Sequence, residues 1–153
     1  MLMTQALYKK VDLTMALNGA LAGLVSITAG PDLTNHLMSI IIGGIGGVLV
    51  VIAIPMLDRF KIDDVVGAIS VHLVAGIWGT LAVGIFGAGD IGVQIIGILA
   101  IAVFVIVSSS IVWLALKYTI GIRVSDEDED AGLDMVELGL EAYPEFGRGS
   151  QRG

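Results

Sequence analysis

Four long stretches without a charged residue constrain this chain more than any single motif. Leu13–Pro31, Leu33–Leu57, Val65–Gly89 and Ile91–Leu116 run for 19, 25, 25 and 26 residues with no Asp, Glu, Lys or Arg. A hydrocarbon core about 30 Å thick is crossed by about 20 apolar helical residues, and a lipid-facing segment must satisfy its own backbone hydrogen bonds. Each stretch is compatible with that requirement. The chain is 56% hydrophobic and only 15% charged over 153 residues, a balance unlike that of an ordinary soluble domain. The pattern predicts an all-α fold, a polytopic membrane helix bundle seated in a lipid bilayer. Its helices are expected near 13–30, 37–57, 65–88 and 92–119, with turns at Pro31, Asp58–Asp64 and Gly87–Asp90. The first stretch is the shortest and carries Asn18 and Ser26, so it depends most on helical neighbours. Met1–Tyr8 is too short and mixed for a span and lacks the pattern of a secretory signal, so it is assigned no targeting role.

The connections supply a direction. Lys9 and Lys10 precede the first stretch, Arg59 and Lys61 lie between the second and third, and Lys117 and Arg123 follow the fourth, whereas Asp32 and Asp90 occupy the alternate loops. The positive-inside rule places both chain ends in the cytoplasm, with the protein expected in the cell membrane. Two regions are expected: a four-helix transmembrane region over 1–120 and an acidic cytoplasmic tail over 121–153. Residues 1–120 carry 6 acids and 5 bases, whereas 121–153 carry 9 acids and 3 bases. The unbroken acidic run Asp126–Asp130 is followed by the apolar residues Leu133, Met135, Leu138, Leu140 and Tyr143. That mixture fits a partly ordered tail docked on the membrane region or a partner, with solubilising disorder as the alternative.

Glycine is abundant where helices must pack. Gly19 and Gly23 are four positions apart, as are Gly43 and Gly47. Each helical glycine costs about 1 kcal/mol relative to alanine, so such a run points to close helix contact or a narrow lumen. The alternative is ordinary transmembrane composition.

His72 is the polar residue that most requires an explanation, because it stands eight residues into the third stretch. Ala68 lies one turn before it and Gly76 one turn after, leaving room beside the ring. An imidazole in hydrocarbon is costly unless it is paired or faces a cavity. His72 is therefore either a conduction or proton-relay residue or a neutral tie between helices. His36 sits at the junction of the second stretch, where a surface or helix-end role suffices. Asp63 and Asp64 are placed to cap the third helix, with a direct transport role as the alternative. Ser108, Ser109 and Ser110 suit packing or back-bonding, Trp78 a position within the span, and Trp113 an interfacial one. The chain has no cysteine, which removes disulfides and thiol catalysis. Phosphate-loop, dinucleotide, HExxH and nucleophile-elbow patterns are missing, as is any basic surface for nucleic acid. No enzyme activity, cofactor, metal site or nucleic-acid partner is expected.

Several ordered segments carry a family resemblance across residues 10–146. They are DLTMALNGALAGLV at 12–25 with ITAG at 27–30, DDVVGA at 63–68, SVHLVAGIWGT at 70–80, and GIRV at 121–124. The acidic run, Gly132-Leu133-Asp134 and Ala142-Tyr143 complete the set. Together they resemble the ammonium transporter family, a family of ammonium/ammonia channels. The resemblance implies a partial ammonium-transporter fold: the C-terminal portion, corresponding to the last four of about eleven transmembrane helices and the cytoplasmic tail. On that mapping His72 is similar to the second of two pore histidines, and Ala68 lines the same path. The resemblance also implies a homotrimer in the complete assembly, a missing transporter half that supplies the first histidine and the recruitment site, and a cytosolic nitrogen-signalling protein at the tail. Two positions depart from the family pattern. Val65 stands where proline is expected after the paired aspartates, and Val136 where some plant relatives carry a phosphorylatable threonine. The function implied is transport of ammonium/ammonia as part of a larger or truncated transporter. The alternative is a non-transporting membrane interaction or assembly protein.

Overall fold

The computed structural model describes residues 1–33 and 35–140. Among these every regular element is helical. They run α1 (Leu2–Tyr8), α2 (Leu13–Thr28), α3 (His36–Arg59), a π-helical segment (Ala68–Val74) continuous with α4 (Ala75–Phe86), α5 (Ile91–Thr119), α6 (Asp126–Ala131) and a second π turn (Asp134–Leu138). His36–Arg59, Ala68–Phe86 and Ile91–Thr119 are long and apolar enough to cross a membrane. α2, at 16 residues, is shorter. It reaches about 24 Å and relies on its neighbours, as its polar Asn18 and Ser26 suggested. The molecule is a helical membrane bundle with several spans.

Short polar side chains start the helices where the sequence interrupts its apolar runs. Asp12 accepts the Met15 amide at 2.8 Å, Asn35 accepts Leu37 and Met38 at 3.1 and 3.2 Å, and Asp90 accepts Val93 at 3.0 Å. Each takes amides that the first helical turn leaves without an intrahelical partner. The helix expected from residue 65 instead begins at Ala68. The Gly67 amide bonds the Asp64 carbonyl at 3.1 Å, and Gly67 adopts a left-handed conformation at φ 76°, which delays helix entry. Met1–Tyr8, too short for a span, contains a short helix whose buried Thr4 hydroxyl returns to the Met1 carbonyl at 2.8 Å.

Two compact units are distinguished, 1–105 and 106–153. In the first, α2 packs against α3 and α4, and the core is built from small and β-branched side chains: Ala22, Val50, Val51, Val71 and Ala75. The glycine faces read from sequence oppose each other. A methyl group added at Gly19 would lie 3.9 Å from the Gly47 carbonyl oxygen, and one at Gly47 would lie 3.3 Å from that of Gly19. Backbone thus meets backbone, the arrangement that small residues permit between membrane helices. Trp78 ties α4 to α3 by donating its indole N–H to the Ile42 carbonyl at 3.0 Å, and its ring meets Phe86 edge-on with centroids 6.5 Å apart.

In the second unit, Ser125 caps α6: its hydroxyl accepts the Asp128 amide at 3.1 Å and donates to the Asp128 carboxylate at 2.7 Å. The acidic run fills the first turn of α6, where carboxylates oppose the helix dipole favourably. Ser109 back-bonds to the Ile106 carbonyl at 3.4 Å. Leu133, Met135, Val136, Leu138 and Leu140 are exposed. Ala142 and Tyr143 lie outside the described residues.

Candidate functional site

His72 belongs to the π-helical segment, between a turn that resists helix formation and an α-helix that packs on the core. Ser70, Val71 and Ala75 of this stretch are buried, whereas His72 and Ala68 are exposed. The inward residues anchor the segment against α2 and α3. The imidazole and the small residue before it stay on the open surface of the unit. His72 is thus not a packed tie within this bundle.

The two histidines do not come together. Gly47 and Gly43 of α3 lie against Gly19 and Gly23 of α2, while Gly67 and Gly79 lie near Asn18 and Ser26, so α3 and α4 run antiparallel. His36 opens α3 beyond the Gly43–Gly23 contact, whereas His72 stands between Gly67 and Gly79, nearer the other end of α2. His36 is exposed at the first position of α3, consistent with a helix-end role. A small cleft lined by Ser26, Gly30, Asp32, Ile42, Gly79 and Val83 lies within the bundle and includes neither His72 nor Ala68. Among the described residues, no group of three or more His, Cys, Asp or Glu is placed to hold a metal ion.

Asp64 divides from its neighbour Asp63. Asp63 is exposed, but Asp64 is half-buried and places one carboxylate oxygen on the Ile69 amide and the other on the Ser70 amide, both at 2.9 Å. Burial pushes its pKa upward, and the hydrogen bonds from Ile69, Ser70 and Ala68 pull it down; the net result lies below the ordinary carboxylate value. The Ser70 hydroxyl also favours the carboxylate electrostatically. Ser70 Oγ is buried and, unlike Ser26 Oγ, makes no bond to a carbonyl. The sequence indicated a cap at this position but not its span. The signal that could have found it is Gly67, three residues beyond Asp64, which lets the chain fold back so that the carboxylate reaches past the turn.

Comparison with known proteins fits this architecture. The chain is 41% identical over 143 residues to the ammonium transporter Amt1 of Haloferax mediterranei, covering 90% of this chain and 28% of that protein. It is 37% identical over 158 residues to the ammonium transporter Amt2 of Archaeoglobus fulgidus, covering 90% of this chain and 34% of that protein. It is 38% identical over 143 residues to the ammonium transporter Amt2 of Methanocaldococcus jannaschii, covering 88% of this chain and 34% of that protein. The chain therefore spans about a third of the length of these curated relatives, which makes its fold a partial transporter fold. Residues 1–143 match the model of the Ammonium Transporter Family, and the chain belongs to that family.

Proposed function

We propose that this chain takes part in transmembrane transport of ammonium/ammonia as the C-terminal portion of a larger assembly, contributing the last four helices and the tail. The observation that carries the reading is the family match along residues 1–143 in a chain whose His72 is exposed rather than packed into its own bundle. A pore wall shared with other helices needs such a residue on the surface of this part. His72 and Ala68 line the path for ammonia, and the His72 imidazole accepts hydrogen bonds from ammonia or relays the proton that ammonium leaves behind. A missing transporter half supplies the opposing wall and the first histidine, and the complete assembly is a homotrimer.

Residues 1–120 form the membrane region and 121–153 an acidic tail. Lys9, Lys10, Arg59, Lys61, Lys117 and Arg123 support placing both ends on the cytoplasmic side of the cell membrane. There the tail meets a cytosolic nitrogen-signalling protein. The partial coverage of the relatives favours a second reading, in which the chain joins another membrane subunit without conducting. Reconstitution in liposomes, alone and with a polypeptide carrying the missing half, separates the two. Transport predicts ammonium-driven internal pH change in the complemented assembly. The assembly reading predicts a stable complex with flux no greater than protein-free vesicles.

A further inference from the structure

We infer that Asp64 is a positioning residue for His72, holding the π-helical register in which the imidazole stands on the open surface. The inference rests on the reading of His72 as a pore residue, but its geometry is independent of transport.

The reach of this cap distinguishes it. Asp12, Asn35 and Asp90 each take amides two or three residues ahead, the ordinary range of a helix cap. Asp64 takes amides five and six residues ahead, and it uses both carboxylate oxygens. Between them the chain turns through Gly67, whose carbonyl receives the Val71 amide at 2.8 Å. The carboxylate therefore clamps the entry of the segment from outside it. Ser70, whose amide it holds, is two residues from His72.

π-helical turns are rare and frequent at functional sites, so the contact that fixes the register here bears directly on where His72 stands. The segment also carries a buried polar cost. Ser26 and Thr80 send their hydroxyls to the carbonyl four residues back, at 2.7 and 2.9 Å. Ser70 is fully buried, and its hydroxyl makes no such bond to a carbonyl; the polar group that it favours is the Asp64 carboxylate. Burying a hydroxyl costs its desolvation, whereas bonds to an ionised carboxylate are about twice as strong as neutral ones. The two amide bonds of Asp64 offset that cost and keep Val71 and Ala75 on the core while His72 faces outward. Asp63, exposed beside it, serves as the internal control.

The test reads the full 153-residue chain in lipid nanodiscs, with the His72 imidazole and the Trp78 indole labelled with nitrogen-15 for solid-state NMR. An aqueous paramagnetic reagent reports ring exposure. Asp64→Ala is expected to shift the His72 ring signals and change their paramagnetic broadening at least twofold, while Trp78 stays in place. Asp64→Asn, which retains one acceptor oxygen, is expected to restore part of the wild-type spectrum, and Asp63→Ala all of it. If Asp64→Ala does not fold, Asp64→Asn decides by the same comparison with wild type. His72 unchanged in the folded variant overturns the inference. So does a parallel displacement of His72 and Trp78, which makes Asp64 a general support of the bundle. Failure of the transport reading shows elsewhere, as absence of flux from the wild-type complemented assembly.

Discussion

Gly23 of α2 and Gly43 of α3 meet backbone to backbone: a methyl group added at Gly23 would lie 3.3 Å from the Gly43 carbonyl oxygen, and one at Gly43 would lie 3.4 Å from that of Gly23. Gly44, one residue on, has nothing within 4 Å of the same position. Gly23→Leu should separate the helices and cost about 1–3 kcal/mol, the usual range for overpacking. Gly44→Ala should be neutral or stabilising by up to about 1 kcal/mol through helix propensity. Reversible unfolding in mixed micelles checks both.

A stronger steric prediction attaches to Gly46, where an added methyl group would fall onto the Ser26 hydroxyl and lie 2.9 Å from the Ala22 carbonyl oxygen. That hydroxyl already donates to the Ala22 carbonyl at 2.7 Å. Gly46→Ala should destabilise the bundle. Ser26→Ala should recover part of the loss, giving a coupling of at least about 0.5 kcal/mol in a double-mutant cycle. Strict additivity of the two changes is the contrary outcome.

Trp78→Phe retains an aromatic ring beside Phe86 but removes the N–H donated to Ile42. The expected loss is about 0.5–1.5 kcal/mol, the net worth of one such bond. The same unfolding assay reads it.

Asp64 lies before the membrane-length helix, and its folded-state pKa is lowered. Its stabilising contribution is therefore fully present above the unfolded carboxylate value of about 3.9 and is lost as pH falls through the lower folded value. Amide exchange at Ile69 and Ser70 should accelerate in that acid window and stay protected at neutral pH. In Asp64→Asn the acid-dependent step should disappear.

Much of this arrangement is legible in the residues, and the exceptions have physical causes. The charge-free stretches locate the long helices because a charge in hydrocarbon is expensive, and the interrupting Asp12, Asp64 and Asp90 double as caps. The spacing of Gly19 and Gly23 anticipates a contact but not its partner, since partner choice depends on how the helices cross. The π-helical segment leaves no comparable mark. Ser70, Val71 and Ala75 are compatible with an ordinary helix face, and the change of register follows from Gly67 and the long reach of Asp64. The helix at Leu2–Tyr8 is not legible in the sequence because seven residues cannot establish a periodicity. The outward placement of His72 depends on which face α2 and α3 bury, and no short sequence window contains that information.

The most direct measurement of the central proposal is ammonium-driven pH change in proteoliposomes holding this chain with the missing transporter half, comparing wild type with His72→Ala at equal incorporation. Flux above the protein-free rate in wild type, reduced about tenfold or more or uncoupled from protons in the variant, is the predicted result, given the usual size of a proton-transfer contribution. Equal flux and equal proton coupling in the two proteins would contradict the role given to His72.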